Sequence, residues 1–101
     1  IAAYRSALQA APNSVAAQNN LGVALLNKGQ VDDALAAFRA AASLQPNDPV
    51  AYYNLGEAFI ARNQRGEAIQ SYRRYIGLAE AQLDHRDKVE AVRKHLAVLE
   101  P

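Results

Sequence analysis

Residues 15–48, VAAQNNLGVALLNKGQVDDALAAFRAAASLQPND, decide the fold because they recur in altered form as residues 49–82, PVAYYNLGEAFIARNQRGEAIQSYRRYIGLAEAQ. At this shift of 34 residues the identical pairs are Ala17/Ala51, Asn20/Asn54, Leu21/Leu55, Gly22/Gly56, Ala24/Ala58, Gln30/Gln64, Ala34/Ala68, Arg39/Arg73 and Leu44/Leu78. The same shift maps Ala2, Ala3, Arg5, Ala7, Pro12 and Asn13 onto residues of the 15–48 stretch. A fixed period of this size predicts stacked helical hairpins, each of which buries its apolar face on its neighbour.

Composition narrows the classes of function. The 101 residues fit one domain, and 11 Lys and Arg against 10 Asp and Glu give a formal charge of +1. This balance supplies no field that would attract nucleic acid or an anionic membrane. No apolar run approaches the roughly 18 residues that span a bilayer, and the chain has no cysteine for disulfides or thiolate metal sites. We therefore expect no nucleic-acid partner, no membrane insertion and no cofactor, while the redox compartment stays undecided.

The secondary structure is predicted to be helical throughout. Alanine is abundant, and the chain contains neither Trp nor Thr, a composition that favours helices over strands. Ser14 and the Asp48-Pro49 pair are helix-start signals, whereas Gly29 and Asn63 stand where left-handed helix ends are expected. The predicted helices cover about 1–10, 15–28, 31–44, 49–62, 65–79 and 84–99.

Two glycines inside the predicted helices indicate a close contact between neighbouring helices. Gly22 and Gly56 each cost about 1 kcal/mol relative to alanine, yet they recur at one phase, opposite Ala34 and Ala68 on the following helix. We infer that the two helices of each hairpin cross closely at these positions. A generic four-helix bundle is the alternative, but it has no reason to repeat at a fixed period.

At these positions the chain resembles the tetratricopeptide repeat (TPR) family. The residues that carry the resemblance are Tyr52-Tyr53-Asn54-Leu55-Gly56 with Phe59, Ala68 and Tyr72, then Asn20-Leu21-Gly22 with Leu25, Ala34, Phe38, Ala41 and Pro46, and finally Tyr4, Ala7 and Pro12. The resemblance covers residues 1 to about 80. The chain is similar to bacterial TPR proteins and to the TPR superhelix of sugar-transferase-like proteins. It implies an all-α fold, a right-handed α-solenoid of TPR helix-turn-helix repeats with a C-terminal capping helix. The sequence departs from the family pattern at Gln18, at Tyr75 in place of a small residue and at Glu80 in place of the closing proline, so we expect the last helix to dock differently.

The resemblance also implies a division of the single domain 1–101. Residues 1–14 would be the second helix of a truncated repeat, 15–48 and 49–82 two repeats, and 83–101 a capping helix. An apolar stripe on that helix, formed by Val89, Val92, Leu96 and Leu99, suits a cap. The amino-terminal helix lacks a cover, so either the natural protein continues upstream or another subunit covers this edge.

In TPR proteins the first helix of each repeat lines a concave groove. When the family pattern is carried over to this chain, the resemblance implies that the peptide-binding positions are Asn19, Asn20, Val23, Asn27, Tyr53, Asn54, Glu57 and Lys88. The residues Ala16, Val50, Asp87 and Ala91 share this face. Asn20 and Asn54 stand at equal phase, and their amides suit a peptide backbone because an amide both donates and accepts hydrogen bonds. By phase we expect Tyr53 on the ligand face and Tyr52 in the core.

A second TPR binding mode, the carboxylate clamp for acidic carboxyl termini, is disfavoured. It needs Lys and Arg at set positions, whereas the matching positions are Ala16, Val50 and Asp84, with Lys88 alone basic. We expect His85 and His95 to be surface histidines, since they point in different directions and have no paired ligands. No serine has a His or an acid at an activating spacing, so neither catalysis nor metal binding is predicted.

The sequence therefore predicts a protein-interaction module, not an enzyme, that binds an extended peptide or partner helix in the groove. Two alternatives stay open. The module is a self-assembly scaffold, a homo-oligomer formed through the uncapped amino-terminal edge, or it is the substrate-recruiting arm of a larger enzyme.

Overall fold

A computed structural model describes residues 14–80 and 86–100, in which five helices follow one another. These are α1 (Val15–Asn27), α2 (Val31–Leu44), α3 (Pro49–Ala61), α4 (Arg65–Ala79) and α5 (Arg86–Leu99). No strand occurs in the part of the chain that the structure describes. The all-α expectation is confirmed, and α2 and α4 have the predicted bounds. The predicted helix over 1–10, the uncovered amino-terminal edge and residues 84 and 85 of the last predicted helix lie outside the described residues.

The first helix of each hairpin is capped by a side chain. Ser14 Oγ accepts a hydrogen bond from the Ala17 backbone N–H at 3.1 Å, and Asp48 Oδ1 accepts one from the Val50 N–H at 3.0 Å. Both bonds satisfy N–H groups that have no partner inside the helix. Pro49 occupies the first turn of α3, where its missing N–H costs nothing. Both predicted helix starts are confirmed.

The first helix of each hairpin also ends in the same left-handed turn. Gly29 has a φ of 81° and Asn63 a φ of 63°, which Asn tolerates better than other residues with a side chain. In each turn two backbone N–H groups return to carbonyls of the last helical turn, as in the Schellman motif. These bonds are Gly29 to Leu26 at 3.0 Å, Gln30 to Leu25 at 2.9 Å, Asn63 to Ile60 at 2.9 Å and Gln64 to Phe59 at 2.8 Å.

Within each hairpin the helical glycine packs against an aromatic ring. A β-carbon added to Gly22 would overlap the Phe38 ring, and one added to Gly56 would lie 2.5 Å from Tyr72 Cε1. The close crossing inferred from the sequence is therefore present. Its cause differs from the expectation, because the space is taken by the aromatic face rather than by Ala34 or Ala68, which are themselves buried.

The hairpins stack into one continuous apolar core that extends from Leu21 on α1 to Leu96 on α5. Between hairpins, α2 contacts α3, and α1 also contacts α3 more extensively than α2 contacts α4. The first helices of successive hairpins therefore form one layer and the second helices form the other. This two-layer stack is the expected α-solenoid.

Helix α5 covers the last hairpin with its predicted apolar stripe. Val89, Val92 and Leu96 are buried and Leu99 is partly buried in the core. Tyr75 is also fully buried, with its ring edge-on to Tyr53 at 5.5 Å between centroids. The structure thus accommodates the bulky residue inside the core, and the altered docking of the cap remains a prediction.

Two ion pairs connect α5 to the preceding hairpin. Arg73 Nη2 lies 2.7 Å from Glu100 Oε2, and Arg93 pairs with Glu80. All four side chains are substantially exposed, so each pair contributes at most about 1 kcal/mol. Apolar burial therefore holds the cap, and the ion pairs orient it.

The glycine-aromatic contact is tested by adding one methyl group. Gly22→Ala should lower the free energy of unfolding by about 1–3 kcal/mol, because the methyl overlaps the Phe38 ring and the helices must separate. The matched control is Gly77→Ala, where an added β-carbon meets nothing within 4 Å. That variant should gain about 0.5–1 kcal/mol from helix propensity. Urea unfolding measures both, and equal stabilisation of the two variants would contradict the packing described.

Candidate functional site

The exposed side of the first-helix layer carries the residues that the sequence predicted for binding. Asn20, Val23 and Asn27 are exposed on α1, and Lys88 is exposed on α5. On α3, the predicted residues Tyr53, Asn54 and Glu57 are partly buried. We call the surface formed by these seven with Asn19, Asp48, Val50 and Asp87 the groove.

Two asparagines on neighbouring repeats are joined by their side chains. Asn54 Nδ2 donates to Asn19 Oδ1 at 3.4 Å, and Asn19 is 7% exposed. Asn20 remains exposed, so its amide is accessible to a ligand. The sequence paired Asn20 with Asn54 by phase, but the bond is formed one residue earlier on α1.

A tyrosine and a lysine form the corresponding contact at the next interface. Lys88 Nζ lies 4.5 Å from the centroid of the Tyr53 ring, a geometry in which the ring face attracts the ammonium. Asn19 and Asn54 are 35 residues apart, and Tyr53 and Lys88 have the same separation. Each first helix therefore meets the next at a step one residue longer than the repeat. A search for pairs at the repeat length alone misses these contacts.

The amino-terminal part of the groove combines amides, apolar side chains and one acid, Asp48. Val23 is 41% exposed and Val50 is 39% exposed. A shallow, open depression lies between the starts of α1 and α3 and is lined by Val15, Ala16, Asn19, Asn20, Gln45, Asp48 and Val50. The depression therefore places exposed apolar surface beside amide groups. Gln45 and Asp48 come from the connection before α3, which the sequence did not assign to the groove.

The other part of the groove lies over a cluster of tyrosines. The Tyr53 ring is 6.3 Å from that of Tyr72 and 5.5 Å from that of Tyr75, with edge contacts to both. Burial, and then the Glu57 carboxylate beside it, raises the pKa of Tyr53 from 10.0 to about 12. Burial and the charge of Glu57 also raise the pKa of Tyr72, and burial raises that of Tyr75. The Tyr72 hydroxyl is fully buried and no described residue completes a hydrogen bond with it, although Glu57 is close enough to affect its ionisation.

Two expectations about aromatic residues need correction. Tyr52 and Tyr53 do not divide into core and groove, because both are partly buried. The guanidinium of Arg74 lies 5.5 Å from the Tyr52 ring centroid, and Tyr53 reaches the core tyrosines as well as Lys88. The interpretation of His95 as a surface residue is also wrong. It is partly buried, 5.3 Å from the Tyr72 ring, because α5 docks over α4; His85 lies outside the described residues.

The described residues contain no group of three or more His, Cys, Asp or Glu side chains arranged to hold a metal ion. None of the described helices is long and apolar enough to cross a membrane.

Stacked helical hairpins that share one continuous core define an α-solenoid. The chain belongs to the tetratricopeptide repeat family, whose model matches residues 1–49 and again residues 25–84. It is therefore a protein-interaction module at the level of its class. A search of curated proteins finds no match.

Two solved structures share the fold. The type III secretion translocator chaperone SycD of Yersinia enterocolitica is 14% identical with a TM-score of 0.92, over 96% of this chain and 67% of that one. The first TPR of Spaghetti (RPAP3), bound to the HSP90 peptide SRMEEVD, is 21% identical with a TM-score of 0.75, over 93% of this chain and 75% of that one. At these identities the likeness establishes the arrangement of helices.

The tyrosine cluster predicts a loss of stability at alkaline pH. A raised pKa means that the folded protein keeps protons that the unfolded chain releases, so the stabilisation is complete below pH 10 and disappears as pH rises through about 12. The melting temperature should fall over this window.

The melting temperature of the Tyr72→Phe variant should fall less over the same window, because one of the interacting tyrosine hydroxyls is absent. At neutral pH this variant should stay within about 1 kcal/mol of the parent, since within residues 14–80 and 86–100 nothing completes a hydrogen bond with the hydroxyl and Phe38 occupies the same position in the other repeat. Melting curves across the window check both results, and a steeper alkaline loss in Tyr72→Phe would contradict the interpretation.

Proposed function

We propose that this protein binds an extended peptide, or a helix of a partner protein, along the groove. The observation that carries the proposal is the row of side chains at successive interfaces, Asn19 with Asn54 and Tyr53 with Lys88. The first pair joins α1 to α3 and the second joins α3 to α5, so a chain that crosses these three helices would pass beside each pair in turn. Amides can bond a peptide backbone of any sequence, because they donate and accept.

The remaining groove residues suit the same role. Asn20 supplies an exposed amide, and Val23 and Val50 supply exposed apolar surface beside it. Solvated positions of this kind contribute little to stability. Asn27, Glu57 and Lys88 extend the surface and set its preference for charge. The groove thus combines backbone recognition with two sites for side chains.

The solved relatives give this proposal a precedent. The first TPR of RPAP3 is bound to an HSP90 peptide, and SycD is a translocator chaperone. The carboxylate clamp still has little support in this chain. Ala16 and Val50 offer no charge at their positions, and Lys88 is engaged with the Tyr53 ring.

The proposal predicts that removing two groove amides weakens binding without unfolding the protein. Asn20→Ala combined with Asn54→Ala should weaken peptide binding by about tenfold, the effect of losing hydrogen bonds worth about 1.4 kcal/mol in total. Stability should fall by less than about 1 kcal/mol, because the Asn19–Asn54 bond is long and partly exposed. Peptides that copurify with the full-length protein from its host provide the ligands, and fluorescence anisotropy gives their affinities.

The matched control is Gln70→Ala, which removes an exposed amide from α4 in the opposite layer. It should leave affinity and stability unchanged. If the two variants lose affinity equally, or if the asparagine double variant unfolds, the groove is not the binding site. Sedimentation at several concentrations addresses self-assembly, and a monomer that still binds peptide would count against the scaffold alternative.

A further inference from the structure

The charges along the groove are unevenly distributed. Three acids lie on it, Asp48, Glu57 and Asp87, and Lys88 is its one base. The chain as a whole carries +1, so the groove is acidic on a slightly basic protein. A ligand complementary to this surface carries positive charge.

Glu57 lacks a counterion. It is partly buried on α3, and it forms no ion pair with any residue in the described ranges. Its charge nevertheless reaches the hydroxyls of Tyr53 and Tyr72. A partly desolvated carboxylate without a cation is unfavourable, and a cation delivered by a ligand would relieve this cost.

The buried Tyr72 hydroxyl is a second feature of the same place. It belongs to a fully buried side chain, it has no hydrogen-bond partner among the described residues, and its ring is 6.3 Å from that of Tyr53. Tyr53, Glu57 and Tyr72 therefore form a polar-aromatic cluster in which the carboxylate has tyrosine hydroxyls beside it but no cation among the described residues. Such groups in a native protein call for a functional explanation.

Lys88 indicates which chemistry the cluster accepts. Its ammonium lies 4.5 Å from the Tyr53 ring centroid, and Lys88 also forms no ion pair with a described residue. The flexible lysine side chain and its exposure make the contact easy to replace. The protein's own cation thus occupies the aromatic face that a ligand cation would use.

We infer that the groove selects a peptide with a lysine or arginine side chain, which displaces Lys88 from the Tyr53 ring and pairs with Glu57. This inference rests on the proposed function and specifies its ligand. Lys88 then acts as an internal competitor rather than a contact for an acidic ligand. The two roles predict opposite effects of its removal.

The experiment selects ligands from a random displayed peptide library on the immobilised full-length protein, with Glu57→Gln and Lys88→Ala in parallel. Asp33→Asn and Lys94→Ala are the matched controls, because both are exposed, carry the same charges and lie outside the groove. Selected peptides should be enriched in lysine and arginine over the input. Circular dichroism verifies that each variant is folded.

Anisotropy with one selected peptide then gives the energetics. Lys88→Ala should tighten binding by about two- to fivefold, the effect of removing a competing exposed cation-π contact. Glu57→Gln should weaken it by about fivefold, the upper range for a partly exposed ion pair. When the cationic residue of the peptide is replaced by glutamine, Lys88→Ala and Glu57→Gln should no longer change the affinity. The reason is that the peptide then has no cation to compete with Lys88 or to pair with Glu57.

The outcomes separate this inference from the proposed function. Groove-dependent peptides without enriched cations, or with enriched acids, would overturn the inference and leave groove binding intact. Weaker binding in Lys88→Ala would do the same, since it would make Lys88 a ligand contact. If no peptide is selected, or if all of them bind Asn20→Ala/Asn54→Ala unchanged, the proposed function fails and the inference falls with it.

Discussion

The structure depends on the contact between a helical glycine and an aromatic ring inside each hairpin. Gly22 lies against Phe38 and Gly56 against Tyr72 so closely that a β-carbon would not fit. This approach brings the two helices of the hairpin together and leaves their remaining apolar side chains to pack on the next hairpin. Two glycines thus accept a helix-propensity cost of about 1 kcal/mol each so that the core can be continuous. The groove follows from the same constraint, because it is the side of the first helices that this packing leaves outward.

The fold could be predicted from the sequence because its determinants are local and periodic. Ser14, Asp48, Gly29 and Asn63 act on the few residues next to them, and all four perform the predicted role. The apolar stripe of the last helix was equally readable, since Val89, Val92 and Leu96 share one face of a single helix. Local signals of this kind do not depend on how the helices pack against one another.

The candidate site was less predictable because its contacts join different repeats. Equal phase suggested Asn20 with Asn54, but a helix meets its two neighbours through different sides, and Asn19 is the residue that bonds Asn54. The same geometry sets Tyr53 against Lys88. Tyr72 was predicted as a residue of the repeat pattern and Tyr75 as a departure from it, and neither position indicated that the Tyr72 hydroxyl would lie near Glu57. His95 was misplaced for a similar reason, since its burial depends on how α5 docks.

The two interface pairs differ in chemistry, and this difference distinguishes the two ends of the groove. One end presents amides, valines and Asp48, whereas the other presents a carboxylate, an aromatic ring and an ammonium. A solenoid of identical repeats already has a direction, because its helices run the same way in every repeat, but moving a ligand by one repeat would return it to the same contacts. Under the proposed function, divergence between the two interfaces would therefore fix the register of a bound polypeptide on a scaffold that is otherwise close to translationally symmetric.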